Sequence, residues 1–444
     1  MAEEVKRVFG IESFTDLQSE TIKYLLGGQD VFLSIRTGGG KSLTYQAFPM
    51  FCQAEPCQVL IISPLLSIMK EQVSYLNSLG LCADYIHKEC DRTSIETGKT
   101  TYVFTSPEAI LTDDMWRSIL IESTSFKLFV VDEAHMVINW GEGSGKDEPF
   151  REWFGRIGEV RSLISCPALV ITATASRSSR RKLRKKLALV NYHDIVESPD
   201  RENIKLFVNK VKVNEKISFT FSWLISMVMD QAIDCPRHII FCPSIKLCAE
   251  VYCAFKVCLN EYISYIEMFH SCTTDQVKEE IREDMDKEDG HIRVLIATSA
   301  AGMGVNYKNV NNVIHYGPPK DLDGFMQQLG RAGRDGTQSY ELLFYSSRHL
   351  RKLDIDMLDY VKNIEMCRRK KLLESYNSVP SADLVKHLCC DVCDKQCDCN
   401  EENCKSFKHM YFIHKSEIDI ESSSESSEDY SSDTSKNLSE SESD

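Results

Sequence analysis

Three consecutive glycines followed by a lysine and a serine are the residues of this chain best suited to bind phosphate. They lie in SIRTGGGKSLTYQ, after the apolar run VFLS and before residues that favour a helix. Glycines allow backbone N–H groups to converge on an anion, and a helix N-terminus adds the positive end of its dipole. We expect Lys41 to reach the β- and γ-phosphates of a nucleotide, and the Ser42 hydroxyl to bind Mg²⁺. The nucleotide contacts predicted for this loop are Thr37, Gly38, Gly39, Gly40, Lys41 and Ser42.

Ile35 departs from the strict phosphate-binding pattern, which places a glycine six residues before the lysine. A glycine-rich turn with this departure can be purely structural, so the loop needs a partner elsewhere in the chain. That partner is FVVDEAH, which ends at His135. Asp132 can hold Mg²⁺ through its water shell, and Glu133 can orient and deprotonate an attacking water. The two segments together predict nucleotide hydrolysis.

Length and composition are those of an ordinary globular chain with more than one domain. The 444 residues are 43% hydrophobic, which is enough for the cores of two or three domains. Apolar runs stay well short of the roughly 20 residues that span a bilayer, and the charged start MAEEVKRVFG lacks the apolar segment of a secretory signal. Because 18 cysteines occur without such a signal, we expect a reducing, intracellular compartment and no membrane contact.

Acidic residues are concentrated near the C-terminus. The formal net charge is −14, and residues 416–444 carry ten acids and one base, which leaves −5 for residues 1–415. This serine-rich stretch has almost no apolar residues, so we expect a disordered acidic tail from 406 to 444. The net charge therefore does not exclude a nucleic-acid partner for the folded part.

Short apolar runs alternate with longer amphipathic stretches, which is the pattern of parallel strands joined by helices. The first set is VFLSI, QVLIIS, TYVFTS, KLFVVD and ALVITAT, and the second is HIIFCPS, YIEMFH, IRVLIATS and NNVIHYG. Two such sets predict an α/β protein with two doubly wound parallel-sheet domains, which bind ligands at the carboxyl ends of their strands. The predicted segments are domains 1–205 and 206–350, a small helical segment 351–405, and the tail 406–444.

The same segments match, in order, the motifs of a known family. SIRTGGGKSLTYQ, IISPLLSIMKEQV, VVDEAHMVINWG, ITATAS, IATSAAGMGV and QQLGRAGRDG resemble those of RecQ-type DNA helicases of superfamily two, over residues 1 to about 400. FTDLQSETI resembles the adenine-recognition motif that precedes the phosphate loop in that family. The resemblance implies two RecA-like domains and a zinc-binding subdomain, and it makes an apolar residue at Ile35 expected.

The resemblance also assigns roles to matching residues. Phe14 and Gln18 would contact adenine, and His135 would couple the nucleotide site to the second domain. An arginine that faces the γ-phosphate across a cleft neutralises charge in the transition state and makes closure depend on ATP. The residues of the second domain that would complete the site in this way are Gln327, Arg331 and Arg334.

A track for a nucleic-acid strand needs groups that bind phosphate and rings that stack on bases. The residues that the resemblance places on this track are Ser63, Pro64, Ser67, Thr105, Trp140, Phe150, Arg151, Thr298, Gly302 and Gly304. The aromatic-rich loop departs from the family pattern, because GEGSGKDEP intervenes between Trp140 and Phe150. Trp153 and Phe154 resemble the same loop but fit the core of the following helix equally well.

Seven cysteines crowd between Cys367 and Cys404 and resemble the zinc subdomain of the family. Structural zinc takes four thiolate or imidazole ligands in a tetrahedron. The implied ligands are Cys367, Cys390, Cys393 and, as the fourth donor, Cys397. His387 and Cys389 stay open as alternatives for the fourth position, and we expect one Zn²⁺ per chain.

The resemblance implies an ATP-dependent DNA helicase that moves 3′ to 5′ on single-stranded DNA and unwinds 3′-tailed duplexes, with ATP, Mg²⁺ and Zn²⁺ as cofactors. It further implies a role in DNA repair or recombination and a nuclear location. Two alternatives are a DNA-stimulated translocase or annealing factor without robust unwinding, and an RNA helicase with the same DEAH tetrapeptide. TGGGKS and the CRRKK–zinc segment argue against the RNA helicase. The sequence after the cysteines offers no length for a winged-helix domain, so we expect a minimal catalytic core.

Overall fold

The computed structural model of the chain describes residues 2–36, 38–141, 151–302, 307–381, 384–397 and 399. The strands that lie within these residues pair only in parallel. In chain order they are β1 (Asp30–Ser34), β2 (Gln58–Ile62), β3 (Ala83–Tyr85), β4 (Tyr102–Thr105), β5 (Phe126–Val131), β6 (Ala168–Thr172), β7 (Tyr192–Val196), β8 (Ile204–Lys210), β9 (Arg237–Phe241), β10 (Ile266–Phe269), β11 (Val294–Ala297), β12 (Val310–Tyr316) and β13 (Ser339–Tyr345).

Helices connect most of these strands. In chain order they are α1 (Ala2–Phe9), α2 (Asp16–Leu26), α3 (Leu43–Gln46), α4 (Phe48–Phe51), α5 (Leu66–Ser78), α6 (Arg92–Glu96), α7 (Pro107–Leu111), α8 (Asp114–Glu122), α9 (His135–Asn139), α10 (Glu152–Gly155), α11 (Ile157–Ser162), α12 (Arg177–Lys186), α13 (Ile217–Thr220), α14 (Ser222–Gln231), α15 (Ile245–Leu259), α16 (Asp275–Asp286), α17 (Leu322–Leu329), α18 (Ile355–Lys362), α19 (Arg368–Glu374), α20 (Lys386–Cys389) and α21 (Asp391–Lys395). Short 3₁₀ segments occupy Ala232–Asp234, Asn260–Tyr265, Ser299–Gly302 and His349–Lys352.

The strands form two sheets. The first has the order β3-β4-β2-β5-β6-β1-β7, and the second has the order β10-β11-β9-β12-β13-β8. Within β5, Phe129 and Val131 belong to one hydrophobic core, and Leu128 and Val130 belong to another. Successive side chains of a strand point to opposite faces, so both faces of this sheet are covered. That double burial explains why the strands are almost uninterrupted apolar runs.

The predicted fold class is confirmed. Each apolar run predicted as a strand contains one, from β1 in VFLSI to β12 in NNVIHYG. The strands β2, β4 and β5 end side by side, because Ile62 is paired with both Thr105 and Val131. The segments that follow these strands therefore meet at one edge of the first sheet.

The helices α18 to α21 pack on the second sheet. Tyr360 of α18 and Leu206 of β8 lie in one hydrophobic core. Cys390 forms a backbone bridge with Leu206, and the buried ammonium group of Lys205 lies 3.1 Å from the Asp394 carboxylate. The predicted small helical segment therefore shares the core of the second domain.

The predicted domain boundaries do not all coincide with the ends of strands or helices. The boundary predicted between residues 205 and 206 falls inside β8, at the edge of the second sheet. The acidic tail predicted for 406–444 lies outside the described residues. Among the helices that the structure describes, none is both long enough and apolar enough to cross a bilayer.

Candidate active site

The glycine loop connects β1 to α3 at the carboxyl edge of the first sheet. Gly38 and Gly40 have φ angles of +84° and +71°, in the left-handed region that glycine adopts without strain. The side-chain amide of Gln18 donates a hydrogen bond to the carbonyl of Gly40 at 3.1 Å. A Cβ on residue 40 would lie 2.4 Å from that amide nitrogen, so this close approach requires glycine. Thr37, which was also predicted to bind the nucleotide, lies outside the described residues.

Ile35, which replaces the glycine of the strict pattern, is part of the core of the first domain. It is 3% exposed. A Cβ on Gly39 would lie 2.4 Å from the Cγ2 atom of Ile35. The apolar side chain therefore fills the space under the loop, and the glycine at position 39 makes room for it.

Gln18 and Phe14, which were predicted to contact adenine, lie beside this loop. Gln18 is part of a capping box, in which the Thr15 amide donates to the Gln18 side chain at 2.9 Å and the Gln18 amide donates to the Thr15 hydroxyl at 3.2 Å. Phe14 packs edge-on against Phe51, with 5.9 Å between the ring centroids. The capping box fixes the start of α2 against the phosphate loop, because the same Gln18 side chain contacts Gly40.

Two catalytic carboxylates were predicted to follow β5, and they lie at the same sheet edge. The Asp132 amide donates to the Ile62 carbonyl at 2.9 Å, which continues the pairing with β2. The Asp132 carboxylate accepts a hydrogen bond from the Glu133 amide at 2.9 Å. Glu133 has a φ of +46°, a conformation that costs a residue with a Cβ about 1 kcal/mol and that is concentrated at functional sites.

Burial and neighbouring charges give these two carboxyl groups different pKa values. Burial and the adjacent Glu133 raise the pKa of Asp132 to about 7, although the charge of Lys41 opposes the rise. Burial also acts to raise the pKa of Glu133, but the surrounding cations, led by Lys41, outweigh it and hold that pKa below its usual value. A buried carboxylate with a raised pKa is stabilised by a cation, so Asp132 and the nearby Ser42 hydroxyl fit a Mg²⁺ site. Glu133 is ionised at neutral pH, as a general base must be.

His135 links Glu133 to the second domain. Its Nδ1 atom lies 3.3 Å from Oε2 of Glu133 and 3.3 Å from the Thr172 hydroxyl. On the other side of the ring, Nε2 of Gln327 donates a hydrogen bond to Nε2 of His135 at 3.0 Å. Because Nε2 accepts, the proton of the neutral ring lies on Nδ1, whose hydrogen-bond partner is the Thr172 hydroxyl. Burial lowers the pKa of His135 and so keeps the ring neutral.

Arg331 and Arg334 follow α17 and place two positive charges of the second domain near this site. Burial lowers the pKa of Arg331, and the charge of Arg331 helps to lower the pKa of Glu133. Burial, together with the like charges of Arg331 and Arg201, lowers the pKa of Arg334 to about 10. Arg201 is held beside them by hydrogen bonds to two carbonyl groups of the same loop. Cations held so close together favour an anion between them.

Asp323, which no sequence motif marked, fixes the helix that carries Gln327. The Ser176 amide and hydroxyl both donate to its carboxylate, at 2.7 Å and 2.9 Å. The Tyr376 hydroxyl also donates to it, at 3.0 Å. Ser176 caps α12 of the first domain and Tyr376 follows α19, so three parts of the chain meet at one buried carboxylate. Ser176 ends the motif ITATAS, but no pattern in the sequence singled out its two partners.

Several residues predicted for the nucleic-acid track lie together on the first domain. The Ser63 amide donates to the Thr105 carbonyl at 3.0 Å, and the side chains of both residues are buried. The Ser63 hydroxyl has no hydrogen-bond partner among the described residues. Arg151 reaches the same edge, where it donates to the Pro64 carbonyl at 2.6 Å and pairs with Glu108 at 2.7 Å. This edge therefore combines hydroxyl groups and a cation.

The other track residues are spread over both domains. Ser67 is exposed in the first turn of α5. Thr298 follows β11, and Gly302 ends the next 3₁₀ segment. Phe150 and Gly304 lie outside the described residues. The described residues thus follow the carboxyl edges of both sheets, and their contact with DNA stays a prediction.

Trp140 is buried in the first domain. Its ring is 8% exposed and meets Phe154 edge to face, with 5.6 Å between centroids and an interplanar angle of 82°. The Arg151 guanidinium lies 5.4 Å from the centroid of Trp140 and 4.8 Å from that of Phe154. Phe154 is therefore a core residue, which was one of its two interpretations. Trp153 is half-buried and packs with Arg156, at 4.7 Å.

The clustered cysteines form two groups of possible metal ligands. The first group has four sulfur atoms that all lie within 4.8 Å of one another, from Cys367, Cys389, Cys390 and Cys393. Four thiols at this spacing fit a tetrahedral zinc site. The fourth member is Cys389, one of the alternatives, and the structure does not bring Cys397, the favoured fourth donor, into this group. Cys397 lies instead in the second group, with His387.

Comparison with known proteins agrees with this geometry. Residues 15–183 match the DEAD/DEAH box helicase family, and residues 220–336 match the helicase conserved C-terminal domain. The chain is 30% identical to the ATP-dependent DNA helicase RecQ of Haemophilus influenzae, over 77% of this chain and 52% of that protein. It is 28% identical to the protein of the same name from Pasteurella multocida, over 87% of this chain and 61% of that protein. The chain thus spans between about half and three-fifths of the length of these two relatives.

Solved structures show the same fold. The DUF1998 helicase MrfA, bound to DNA and AMPPNP, has a TM-score of 0.60 with this chain at 17% identity, over 85% of this chain and 53% of that one. The two matched segments contain β1 to β6 of the first sheet and β9 to β12 of the second. The ordered motifs all lie within these segments. This chain therefore belongs to the DEAD/DEAH box helicases of superfamily two, and it is of the RecQ type.

Proposed function

We propose that this chain hydrolyses ATP and uses the free energy to move along single-stranded DNA and to separate duplex strands. The main support is one contact between the domains, in which Gln327 donates to His135 while the other ring nitrogen of His135 faces Glu133. When two domains share a hydrolysis site, the state of the phosphates is coupled to the distance between the domains. The relatives named DNA helicases support DNA as the substrate.

The first domain would supply the groups that bind ATP and activate water. The backbone of the glycine loop and Lys41 would hold the phosphates, and Mg²⁺ bound by Ser42 and Asp132 would neutralise charge on the phosphate oxygens. Glu133 would take a proton from a water whose oxygen attacks the γ-phosphorus, while the bond to the β-phosphate oxygen breaks and ADP leaves. His135 would limit the position of the Glu133 carboxylate, because its Nδ1 atom lies 3.3 Å from Oε2 of Glu133.

The second domain would supply the charge that stabilises the transition state. Arg331 is buried and Arg334 is half-buried, and desolvation lowers the pKa of both. Their mutual repulsion is relieved when phosphate oxygens lie between them and Lys41, and this relief favours a closed arrangement of the domains with ATP bound. Loss of the γ-phosphate would remove that attraction and allow the domains to separate.

Repeated closing and opening would advance a DNA strand along the carboxyl edges of both sheets. On the first domain the exposed Ser67 would bind a phosphate, because the Ser63 and Thr105 side chains are buried. Thr298 would do so on the second domain. The family resemblance supports movement 3′ to 5′, 3′-tailed duplexes as substrates, a role in repair or recombination, and a nuclear location. Because phosphate contacts dominate such binding, DNA affinity is expected to fall steeply as salt rises.

The first cysteine group would bind a structural zinc ion. Its four thiols join α19, which carries Arg368 and Arg369, to α20 and α21. Arg368 pairs with Asp391 of α21, and Arg369 pairs with Asp200 at 2.5 Å. A zinc ion here would hold the start of α19 against α20 and α21, because its four ligands come from these parts of the chain.

ATPase rates in the presence of single-stranded DNA, duplex DNA or RNA test this proposal. We expect single-stranded DNA to stimulate hydrolysis most. Glu133→Gln should still bind ATP but should not hydrolyse it, and Lys41→Ala should lose both binding and turnover. Glu122→Gln, at an exposed position of α8, is the matched control and should behave as wild type.

Three outcomes separate the alternatives. Normal DNA-stimulated turnover by Glu133→Gln would remove that residue as the general base. Stimulation by RNA alone would favour the RNA helicase. Hydrolysis stimulated by single-stranded DNA without strand separation on any substrate would favour a translocase or annealing factor.

A further inference from the structure

The second group of metal-ligating side chains lies outside every site assigned above. It contains His387, Cys397 and Cys399. Nδ1 of His387 lies 3.1 Å from the sulfur of Cys399 and 3.5 Å from the sulfur of Cys397, and the two sulfurs are 3.2 Å apart. His387 is fully buried, and both cysteines are half-buried. Two thiols and an imidazole are thus gathered at one point in the structure.

These distances fit one metal ion. In a tetrahedral zinc site, two sulfur ligands lie about 3.8 Å apart, and a nitrogen and a sulfur ligand lie about 3.6 Å apart. The three distances between the atoms of His387, Cys397 and Cys399 are a few tenths of an ångström shorter. Small outward shifts of the side chains would therefore admit an ion at bonding distance from all three.

The second group is separate from the first, because the helix α20 turns a ligand of each group in a different direction. His387 and Cys389 are both in α20, two residues apart. Positions i and i+2 of an α-helix point about 200° apart, so these two side chains face different directions. Cys389 accordingly joins the first group and His387 joins the second, with no residue in common.

A disulfide bond explains the second group less well. The sulfurs of Cys397 and Cys399 are 3.2 Å apart, well beyond the S–S bond length of about 2.05 Å. None of the cysteines that the structure describes is in a disulfide bond. A disulfide would involve only the two cysteines, whereas a metal ion would be bound by all three side chains.

The short helices around this group depend on contacts with the rest of the chain, among them those with the second sheet. The helices α20 and α21 are four and five residues long, far below the length at which a helix is stable by its own hydrogen bonds. The first cysteine group anchors them at one side. An ion bound by His387, Cys397 and Cys399 would tie the chain that leaves α21 back onto α20, and metal binding of this kind adds directly to folding free energy.

We propose that His387, Cys397 and Cys399 bind a second zinc ion, so that each chain holds two. The fourth position of the tetrahedron goes to water or to a further donor. The site is structural in this proposal, and it does not depend on the helicase activity proposed above.

Zinc content of the purified 444-residue chain, measured by mass spectrometry of the metal against protein concentration, tests the proposal. We expect two zinc ions per wild-type chain and one per chain in the double variant Cys397→Ser/Cys399→Ser. Cys272→Ser, which changes an exposed cysteine outside both groups, should keep two. One zinc per wild-type chain would overturn the proposal, whether the double variant keeps that ion or loses it. Loss of that single ion from the double variant would assign Cys397 to the first site.

A second measurement keeps the test valid if the double variant does not fold. X-ray absorption at the zinc edge of the wild-type chain reports the average ligands of the bound metal. Two sites should give about three sulfur ligands per zinc together with a nitrogen contribution. Four sulfur ligands per zinc without nitrogen would show that only the first group binds metal.

Discussion

Gln327 of the second domain donates a hydrogen bond to His135 of the first domain, with 3.0 Å between the two nitrogen atoms. Through its other ring nitrogen, the same imidazole faces the Glu133 carboxylate at 3.3 Å. A change in the distance between the domains therefore acts on the residue that positions the proposed general base. We expect this contact to couple hydrolysis to domain movement, and mutation of either residue tests that coupling.

Removing the donor at position 327 should weaken that coupling. We expect Gln327→Ala to lower DNA-stimulated turnover about tenfold, because His135 loses its contact with the second domain. His135→Ala should have a similar effect, and the double variant should be no worse than either single one. A double-mutant cycle on turnover should give a coupling energy of about 0.5–3 kcal/mol.

Gln276→Ala, at an exposed position of α16, is the control for the same cycle and should combine additively with His135→Ala. Additive losses for Gln327→Ala and His135→Ala would show that the two residues act independently. The contact between the domains would then have no part in hydrolysis.

Arg334→Ala should lower turnover with little change in the affinity for ATP. Its charge lies near those of Arg331 and Arg201, and a cation placed there stabilises the negative charge that develops on the transferred phosphoryl group. We expect a fall in kcat of roughly 100-fold, measured by steady-state ATPase kinetics. Arg348→Ala, an exposed arginine, should match wild type, whereas a higher KM at unchanged kcat would place Arg334 in ground-state binding.

Cys389→Ser should release one zinc ion and destabilise the helical segment. The reason is that its sulfur lies with those of Cys367, Cys390 and Cys393 within 4.8 Å, and removal of one ligand opens the site. Zinc content and the thermal unfolding midpoint measure the two effects. Unchanged zinc in Cys389→Ser would return the fourth position of this group to another donor.

Acid should destabilise the second domain through His238. Its ring is buried, Nδ1 donates to the Pro236 carbonyl at 2.5 Å, and Nε2 accepts from the Asn312 amide at 2.9 Å. Burial lowers the pKa of His238 to about 4, although the bond to Pro236 opposes the shift. Below the unfolded-state pKa of about 6.5, the unfolded chain binds a proton that the folded chain excludes, so stability falls as pH falls, by about 2 kcal/mol at pH 5.

Urea unfolding midpoints at pH 7 and pH 5 measure this loss. His238→Gln removes the titrating group and should lose less stability on acidification than wild type does. His291→Gln changes an exposed histidine and should follow wild type. Equal losses in wild type and His238→Gln would show that other groups cause the acid sensitivity.

The fold and the centre of the site could be predicted because they depend on local patterns. Strands buried on both faces are apolar runs, so β1, β2, β4, β5 and β6 were visible in the sequence. The edge strands β3, β7 and β8 were not predicted, because their apolar runs are short or interrupted, whereas β10, which is also at an edge, was predicted from YIEMFH. β13 lies inside the second sheet and was also missed, because Glu341 interrupts its apolar residues.

The parts of the site that escaped prediction depend on contacts between distant segments. Asp323 accepts hydrogen bonds from Ser176 and Tyr376, and no spacing rule relates three residues from three parts of a chain. The zinc ligands illustrate a second limit. The number of thiols was evident, but whether His387 or Cys389 faces Cys367 depends on the phase of α20, which only the structure shows.

Strand displacement with three DNA substrates tests the central claim most directly. The 444-residue chain and ATP are mixed with duplexes of equal sequence that have a 3′ tail, a 5′ tail or blunt ends. Glu133→Gln serves as the control without hydrolysis. The account predicts displacement of the 3′-tailed duplex only, and none by the variant. Preferential displacement of the 5′-tailed duplex, or displacement that persists in Glu133→Gln, would contradict it.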